Sequence, residues 1–443
     1  MKVLMFGWEF PPHISGGLGT ACYGLTKGIA QHGVEVLFVM PKASGEEDSS
    51  IGKIINASDV EMPVTVSQVD DFWKNVNFLS VDSGLLPYLG LEEYELIRQE
   101  TTQNKSHFFT HLGGKYSFSG KYGANLMEEV MRYAMIASKI AREQEFDIIH
   151  AHDWLTYLAG IVAKRISGKP LVVHVHATEF DRSGENINRM VYDLEKQGME
   201  QSDTVITVSN LTKNIVVMRY GINEEKVFTV HNAVDFSGKE KIKTAGQEEE
   251  SEDINPEDTP DKKEKVITFL GRITFQKGPE YFIEAANKVL KLYPHVRFVM
   301  AGSGDMMNQM VKRVAKLRIG SQFTFTGFLT GDDVNKMYAE SDIYVMPSVS
   351  EPFGISPLEA MRTGVPVIIS EQSGVAEILK NVIKVNFWDV DALADAMYGL
   401  LAYPVLSDNL KEKGTIEVDS LSWYDSAKLV KNLYQTVITQ KNS

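Results

Sequence analysis

The sequence predicts an α/β protein with two doubly wound domains. A buried-strand run at Lys2–Phe6 leads into a glycine-rich loop and a helical stretch at Thr20–His32, and a second strand run follows at Val34–Val39. The same order begins again at Lys265–Leu270, where a loop and a helix lead to a strand at Arg297–Ala301. Strand, loop, helix and strand form the unit of a parallel sheet, and this unit starts twice.

Further short, apolar and β-branched runs extend both predicted sheets. Near-continuous apolar character is typical of strands that helices cover on both faces. The runs are Asp147–His150, Leu171–His176 and Thr204–Val208 in the first half, and Phe323–Thr326, Ile343–Met346 and Val365–Ile369 in the second.

Composition marks the boundaries between the predicted domains. Residues 1–237 form the predicted N-terminal Rossmann-like domain and 265–420 the C-terminal one. The segment 238–264 between them includes Gln247–Asp261, which holds eight acidic and no basic residues, so we expect it to be solvated. The last residues, 421–443, are predicted to form a helix that returns to the N-terminal domain.

Composition also excludes several classes of protein. Lys and Arg total 45 and Asp and Glu total 59, so the net charge of −14 would repel nucleic acids and anionic membranes. The single cysteine, Cys22, excludes an intramolecular disulfide and a cysteine-rich zinc site. No apolar run approaches the ~18 residues that span a bilayer. We therefore expect a cytoplasmic protein with no nucleic-acid partner and no stable membrane insertion; its oligomeric state is not predicted.

Glycines and histidines gather where predicted strands end, which is where open parallel sheets bind ligands. Gly16 and Gly17 precede a helix N-terminus that favours an anion, although a plain strand-to-helix turn explains them equally well. The four histidines at two strand ends are His150, His152, His174 and His176. Because side chains alternate between the two faces of a strand, His150 should share a face with His152, and His174 with His176. Their spacing matches no helical ligand set of metalloenzymes, so we predict no metal. Any one of them alone suits a core histidine with satisfied hydrogen bonds, but their clustering at strand ends favours a binding cleft.

Charged residues follow two predicted strands of the second half. Arg272 and Lys277 suit a diphosphate, because a guanidinium can bind phosphate oxygens with two parallel hydrogen bonds and an ammonium group supplies a compact positive charge. The alternative is that both are solvated surface charges. Glu351 lies on a loop beside a strand end, where a carboxylate can bind sugar hydroxyls or steady a developing positive charge. Ser356 and Glu359 resemble the first and last members of a capping box.

Taken together, these motifs resemble those of GT-B glycosyltransferases of the large retaining family 4, with glycogen and starch synthases as close relatives. The motifs, in order, are Ser15-Gly16-Gly17-Leu18-Gly19, His150–Trp154, Gly271–Gly278 and Glu351-x7-Glu359. The resemblance runs from Met1 to about Tyr434. It implies two Rossmann-like domains facing a central cleft, and hexosyl transfer from a nucleotide diphosphate sugar with retention at C1. It implies no metal or other cofactor.

The resemblance also implies roles for the matched positions in the first domain. Gly16 and Gly17 would touch the phosphates of the donor. His176 would contact the donor sugar near its reacting carbon. Asp153 would lie near the donor and acceptor hydroxyls.

In the second domain the resemblance implies that Arg272 and Lys277 neutralise the leaving diphosphate. Glu351 would hold the donor sugar, and Glu359 would hold the ribose hydroxyls. The donor-binding stretch also includes Phe353 and Gly354. No protein nucleophile is implied, because in the front-face route the leaving phosphate accepts the acceptor's proton.

The acceptor is implied less directly, because two positions depart from the closest bacterial glycogen synthases. Those enzymes carry Lys-x-Gly-Gly-Leu where Ile14-Ser15 precede Gly16 here, and they replace the acid that is Glu359 here. The implied function is transfer of glucose from UDP- or ADP-glucose to an α-1,4-glucan. The alternatives are a family 4 transferase with a lipid-linked or small-molecule acceptor in cell-envelope or exopolysaccharide synthesis, a sugar-nucleotide epimerase, and a catalytically silent glucan-binding scaffold.

An aromatic-rich insertion in the first domain, at about 51–123, does not follow the strand-and-helix order. Its aromatic residues include Phe72, Trp73, Tyr88, Phe108, Phe109, Tyr116 and Phe118. They suit stacking on the sugar rings of a polysaccharide acceptor and suit a local core equally well.

Overall fold

The computed structural model describes residues 1–12, 16–62, 114–120, 123, 125–234 and 264–442. They fall into two units. One comprises Met1–Asn232 with Trp423–Ser443, and the other comprises Ala233–Ser422. Predictions for Ser15, for most of the 51–123 insertion and for the acidic 247–261 segment concern residues outside this description.

The first unit is built on a seven-stranded parallel sheet. Its strands are β1 (Lys2–Phe6), β2 (Glu35–Met40), β3 (Lys53–Asn56), β6 (Ile148–His152), β7 (Leu171–Val175), β8 (Thr204–Thr207) and β9 (Val227–Thr229), and β4 (Glu61–Met62) pairs only with β5 (Gly114–Lys115). The strand order is β3-β2-β1-β6-β7-β8-β9. The order reverses between β1 and β6, and such a switch point leaves a crevice at the carboxyl ends of the strands.

The second unit repeats this plan with six parallel strands. They are β10 (Lys265–Leu270), β11 (Val296–Ala301), β12 (Phe323–Gly327), β13 (Ile343–Met346), β14 (Val367–Ser370) and β15 (Ile383–Val385). Their order is β12-β11-β10-β13-β14-β15, so the switch point lies between β10 and β13. The predicted α/β fold with two parallel sheets is confirmed.

Helices connect the strands in both units. In the first unit they are α1 (Gly17–Gln31), α2 (Leu126–Glu143), α3 (Trp154–Ser167), α4 (Glu179–Ser183), α5 (Arg189–Gln201), α6 (Asn210–Tyr220) and α13 (Trp423–Asn442). In the second they are α7 (Pro279–Leu292), α8 (Met307–Leu317), α9 (Asp332–Glu340), α10 (Ser356–Arg362), α11 (Val390–Ala402) and α12 (Pro404–Asp419). Among the described residues, no helix has both the length and the apolar character to cross a bilayer.

Each unit has its own hydrophobic core beneath its sheet. Tyr116 and Phe118, from the aromatic-rich insertion, are buried in the first core, and the Phe118 ring packs edge-on against Tyr133. These two aromatic residues therefore serve the local core. The other aromatic residues named for the insertion lie outside the description.

The C-terminal helix α13 packs closely on α1, and glycine makes the approach possible. An ideal Cβ on Gly24 would lie 2.3 Å from the indole nitrogen of Trp423. One on Gly28 would lie 2.6 Å from the Trp423 carbonyl oxygen. A side chain at either position requires α13 to move.

We expect Gly24→Ala to lower the free energy of unfolding by about 1–3 kcal/mol, because the new methyl group overlaps the buried indole of Trp423. Gly399→Ala in α11 is the matched control, since a Cβ there meets nothing within 4 Å. It should be neutral or stabilising by up to about 1 kcal/mol, the usual gain in helix propensity. Urea denaturation measures both, and equal effects would contradict the close approach.

Candidate functional site

The loop after β1 leaves its glycine backbone accessible. Gly16 and Gly17 are both exposed, and an ideal Cβ on either would meet no described atom within 4 Å. Helix α1 begins at Gly17 without a side-chain cap, three residues earlier than predicted. Among the described residues, no capping side chain occupies its first backbone N–H groups, as a loop that approaches an anion requires.

The four strand-end histidines form one stacked cluster. His150 and His152 lie in β6 with ring centroids 4.2 Å apart, and the His174 and His176 rings lie 4.3 Å apart at the end of β7. The predicted sharing of faces is thus correct. Across the strands, Nδ1 of His152 and Nε2 of His176 are 2.9 Å apart and share a hydrogen bond.

The cluster is uncharged at neutral pH. Burial lowers the pKa of His150 to about 3, and repulsion from His176 adds to this effect. Burial alone lowers the pKa of His176 to about 3. The pKa values of His152 and His174 are also lowered, first by burial and then by the neighbouring rings. The rings therefore act as neutral hydrogen-bonding or metal-binding groups.

Asp153 connects the loops after β6 and β7. Its Oδ1 accepts hydrogen bonds from the backbone N–H groups of His176 at 2.8 Å and Ala177 at 3.3 Å. Its backbone has φ 60° and ψ 168°, a region that residues other than glycine rarely occupy. The carboxylate, only 7% exposed, thus fixes the position of His176.

Burial raises the pKa of Asp153 from 3.8 to about 6, with Arg182 opposing the shift. A raised pKa favours the protonated form in the folded state. The resulting stabilisation is complete below about pH 4 and is lost as the pH rises through about 6. We expect the free energy of unfolding of the wild type to fall by up to about 3 kcal/mol relative to Asp153→Asn over this interval. Denaturation of both proteins at a series of pH values measures it, and parallel curves would contradict it.

In the second unit, the loop after β10 is packed tightly onto the end of β13. Gly278 has φ +65°, and a Cβ there would lie 2.0 Å from the Pro347 carbonyl oxygen. Arg272 is exposed, with Nη2 3.5 Å from Oε1 of Gln276. Lys277 is partly buried and points to the loop after β13. The fold thus places the Lys277 ammonium group, from the loop after β10, beside the loop after β13.

Lys277 forms an ion pair with Glu351. Oε2 of Glu351 also accepts a hydrogen bond from the Ser348 hydroxyl at 3.2 Å, and the residue is 7% exposed. Its backbone N–H donates to Gln372 at 3.0 Å, and its carbonyl accepts from Gly374 at 2.9 Å. The carboxylate is therefore held from several sides at the carboxyl end of β13.

The remaining predicted donor-binding residues continue this loop and enter α10. Phe353 is buried, its carbonyl oxygen accepts from Val375 at 2.8 Å, and Gly354 has φ +100°. Oε2 of Glu359 accepts from the Tyr338 hydroxyl at 3.2 Å. Burial raises the pKa of Glu359, and the Tyr338 hydrogen bond opposes this shift.

The predicted capping box at Ser356 and Glu359 is wrong. Helix α10 begins at Ser356, its N-cap is Ile355, and it has no side-chain cap. The Ser356 hydroxyl instead accepts from the Tyr344 hydroxyl at 2.9 Å. The spacing alone could not reveal this, because the Tyr344 hydroxyl reaches Ser356 from β13 and the Tyr338 hydroxyl reaches Glu359 from α9.

Sequence reasoning missed a buried charged network behind the His176 loop. Arg182 pairs with Glu179 at 3.1 Å and with Glu195, and Glu195 also accepts from Tyr220. Thr178 begins α4 with a capping box. The i, i+3 spacing of Glu179 and Arg182 was the available signal. This network fixes the segment that follows His176.

Two family models match the chain. The model described as the starch synthase catalytic domain matches residues 2–230, which are 229 of the 443 residues. The model described as glycosyl transferases group 1 matches residues 250–416. The first match lies in the first unit and the second match lies in the second unit.

Individual proteins are similar over most of the chain. An uncharacterized glycosyltransferase of Methanocaldococcus jannaschii is 31% identical over 98% of both chains. Glycogen synthase of Mycobacterium tuberculosis is 23% identical over 86% of this chain and 80% of its own. A UDP-Gal:α-D-GlcNAc-diphosphoundecaprenol α-1,3-galactosyltransferase of Escherichia coli is 28% identical over 68% of this chain and 79% of its own.

Solved structures share the fold. Sucrose-phosphate synthase of Thermosynechococcus elongatus aligns over 99% of both chains with a TM-score of 0.68 and 17% identity. HepE of Anabaena, solved in complex with UDP and glucose, aligns over 98% of this chain and 100% of its own with a TM-score of 0.63 and 15% identity. The chain therefore belongs to the starch synthase-like family of GT-B glycosyltransferases, enzymes that transfer sugars.

Proposed function

We propose that this chain is a retaining transferase that moves glucose from UDP- or ADP-glucose to a growing α-1,4-glucan. The observation that carries the proposal is the ion pair between Lys277, on the loop after β10, and the buried Glu351, on the loop after β13. Arg272 is exposed on the same loop as Lys277, and a loop with two cations, one of them paired with a buried carboxylate, suits a diphosphate joined to a sugar. The similarity to a glycogen synthase, and to a structure that holds UDP and glucose, supports the donor and the acceptor.

In the proposed reaction, the bond between the sugar C1 and the diphosphate oxygen breaks, and a bond from C1 to the acceptor oxygen forms on the same face. The acceptor hydroxyl proton passes to the leaving diphosphate. Arg272 and Lys277 stabilise the charge that develops there. An ammonium group has three N–H donors, so Lys277 can contact a phosphate oxygen without releasing Glu351.

The proposal also assigns roles to residues of the first unit. Gly16 and Gly17 offer backbone N–H groups to the phosphates, and His176 contacts the donor sugar. Asp153 acts on the sugar indirectly, because its Oδ1 is engaged by the backbone of His176 and Ala177. Glu351 binds the sugar and Glu359 binds the ribose hydroxyls in this proposal.

A second candidate is transfer to a lipid-linked acceptor. The similarity to the Escherichia coli galactosyltransferase, whose name includes a diphosphoundecaprenol acceptor, favours it. The net charge of −14 weighs against it, since an anionic membrane surface would repel such a chain. We therefore place the glucan acceptor first.

The test is a donor panel. Purified protein is incubated with UDP-glucose, ADP-glucose, GDP-mannose or UDP-N-acetylglucosamine, with glycogen, with undecaprenyl-diphosphate-linked sugar, or with neither, and nucleotide diphosphate release is followed. Release from a glucose donor only with glycogen supports the proposal and names the nucleotide. Release only with the lipid-linked sugar supports the second candidate. Silence across the panel, with no donor binding by calorimetry, would overturn both.

A further inference from the structure

We propose that His150, His152 and His174 form a site for a divalent transition metal, with Zn²⁺ as the preferred ion. The site lies inside the first unit, between the carboxyl ends of β6 and β7. The argument for it does not rest on the proposed sugar transfer, although His152 is hydrogen-bonded to His176. It adds a ligand that neither the sequence spacing nor the family likeness indicates. The ion would join two neighbouring strands.

The geometry brings three ligand atoms together. One ring nitrogen from each of the three histidines lies within 4.8 Å of the other two. The ligand nitrogens of a tetrahedral Zn²⁺ are about 3.4 Å apart, given Zn–N bonds of about 2.0–2.1 Å. The ring centroids are 4.2 Å apart for His150 and His152 and 5.4 Å apart for each with His174, and the rings are stacked at angles of 16–27°. Because an imidazole lone pair lies in the plane of its ring, the rings must rotate to bind one ion together.

Buried ring nitrogens without partners point to a ligand. Nε2 of His150, Nε2 of His152 and both ring nitrogens of His174 have no hydrogen-bond partner in the part of the chain that the structure describes. All three residues are at most 1% exposed. Buried polar atoms are nearly always paired, and leaving them unpaired is costly, so four such atoms in one cluster require an explanation. A metal ion would accept one lone pair from each ring, which accounts for three of the four atoms.

The surrounding hydrogen bonds orient two of the rings for metal binding. Nδ1 of His150 is bonded to the Tyr434 hydroxyl, and Nδ1 of His152 is 2.9 Å from Nε2 of His176. A histidine that binds a metal commonly uses its other nitrogen in this way, which fixes the tautomer. In the tautomers that carry the proton on Nδ1, both Nδ1 atoms donate in these bonds and both Nε2 lone pairs are left for the ion.

The sequence did not predict this set, because its members come from two strands. In the parallel register His152 lies directly beside His174, and His150 lies two residues earlier on the same face. Three imidazoles suit Zn²⁺ with an open fourth position. Cys22 forms a second group with His152 and His176 that shares one ligand, so the test must separate the two groups.

The experiment is a titration of chelator-treated protein with Zn²⁺, followed by calorimetry and competition with a chromogenic chelator. We expect one Zn²⁺ per chain, and affinity at least tenfold weaker in His174→Val, whose side chain suits a buried strand. His295→Gln is the matched control, because His295 is exposed and outside the cluster. Absence of stoichiometric binding to the wild type, or equal affinity in folded His174→Val, would overturn the proposal.

Two further measurements do not depend on the Zn²⁺ affinity of His174→Val. In chelator, His174→Val should melt at a higher temperature than the wild type, because two unpaired ring nitrogens are removed, and Zn²⁺ should raise the Tm of the wild type alone. Co²⁺ in the wild type should give visible bands of a nitrogen-ligated tetrahedral ion. A sulfur-to-cobalt charge-transfer band that disappears in Cys22→Ser would place the ion on the Cys22 group and overturn the three-histidine site.

Discussion

Lys277→Ala and Arg272→Ala are each expected to lower kcat by about 10²–10³-fold, the usual cost of removing one donor that stabilises developing negative charge. Both side chains extend from the loop between β10 and α7, and in the proposed reaction they meet the departing diphosphate. Since charge on the leaving group grows towards the transition state, kcat should fall more than donor affinity.

The two variants should differ in stability. Lys277→Ala leaves the 7%-exposed Glu351 without its cation, which should cost about 1–3 kcal/mol, whereas Arg272 is exposed and its loss should cost little. Lys288→Ala is the matched control, because it removes an exposed lysine that pairs with Asp391 on the surface. Steady-state kinetics with the active donor and urea denaturation measure both effects. Near-wild-type turnover in both loop variants would refute the diphosphate assignment.

Asp153→Ala is expected to lower turnover by about 10²-fold, because a misplacement of about 1 Å can have that effect and Oδ1 of Asp153 anchors the backbone of His176 and Ala177. Asp153→Asn keeps an acceptor oxygen and should retain most of the activity. Asp153→Gly removes the acceptor but relieves the backbone at φ 60° and ψ 168°, so it should be more stable than Asp153→Ala while equally impaired.

Kinetics and thermal melts of the three Asp153 variants distinguish two roles of the side chain: anchoring the backbone of His176, and acting on the substrate through its charge. Anchoring predicts the activity order asparagine above glycine and alanine, and the stability order glycine above alanine. If asparagine is as inactive as alanine, the charge of Asp153 acts on the substrate directly. The anchoring role would then be wrong.

The sheets were predictable because their strands are buried on both faces. The bounds of β1, β10 and β13 agree with those read from the apolar runs, and the other predicted strands differ by a few residues at their ends. The end residues of the strands were harder to predict, because polar residues occupy these positions and interrupt the apolar runs. His152 lies within β6, whereas His176 lies just beyond β7.

The site was predictable as a set of positions and not as a set of contacts. Residue type and order identified Arg272, Lys277 and Glu351, but nothing in the sequence shows that Lys277 and Glu351 pair across 74 residues. Long-range contacts also explain why Glu359 meets Tyr338 instead of capping its own helix. Local spacing carries capping information only where no tertiary partner competes for the side chain.

The anomeric configuration of the product tests retaining glucosyl transfer most directly. The glucose donor identified by the panel would carry ¹³C at C1, and proton NMR of the first product on a short glucan acceptor would report the coupling between H1 and H2 of the new unit. Retaining transfer predicts a small coupling, which marks an α-linked product formed on the face that the diphosphate left. A large coupling, which marks a β-linked product, would contradict it.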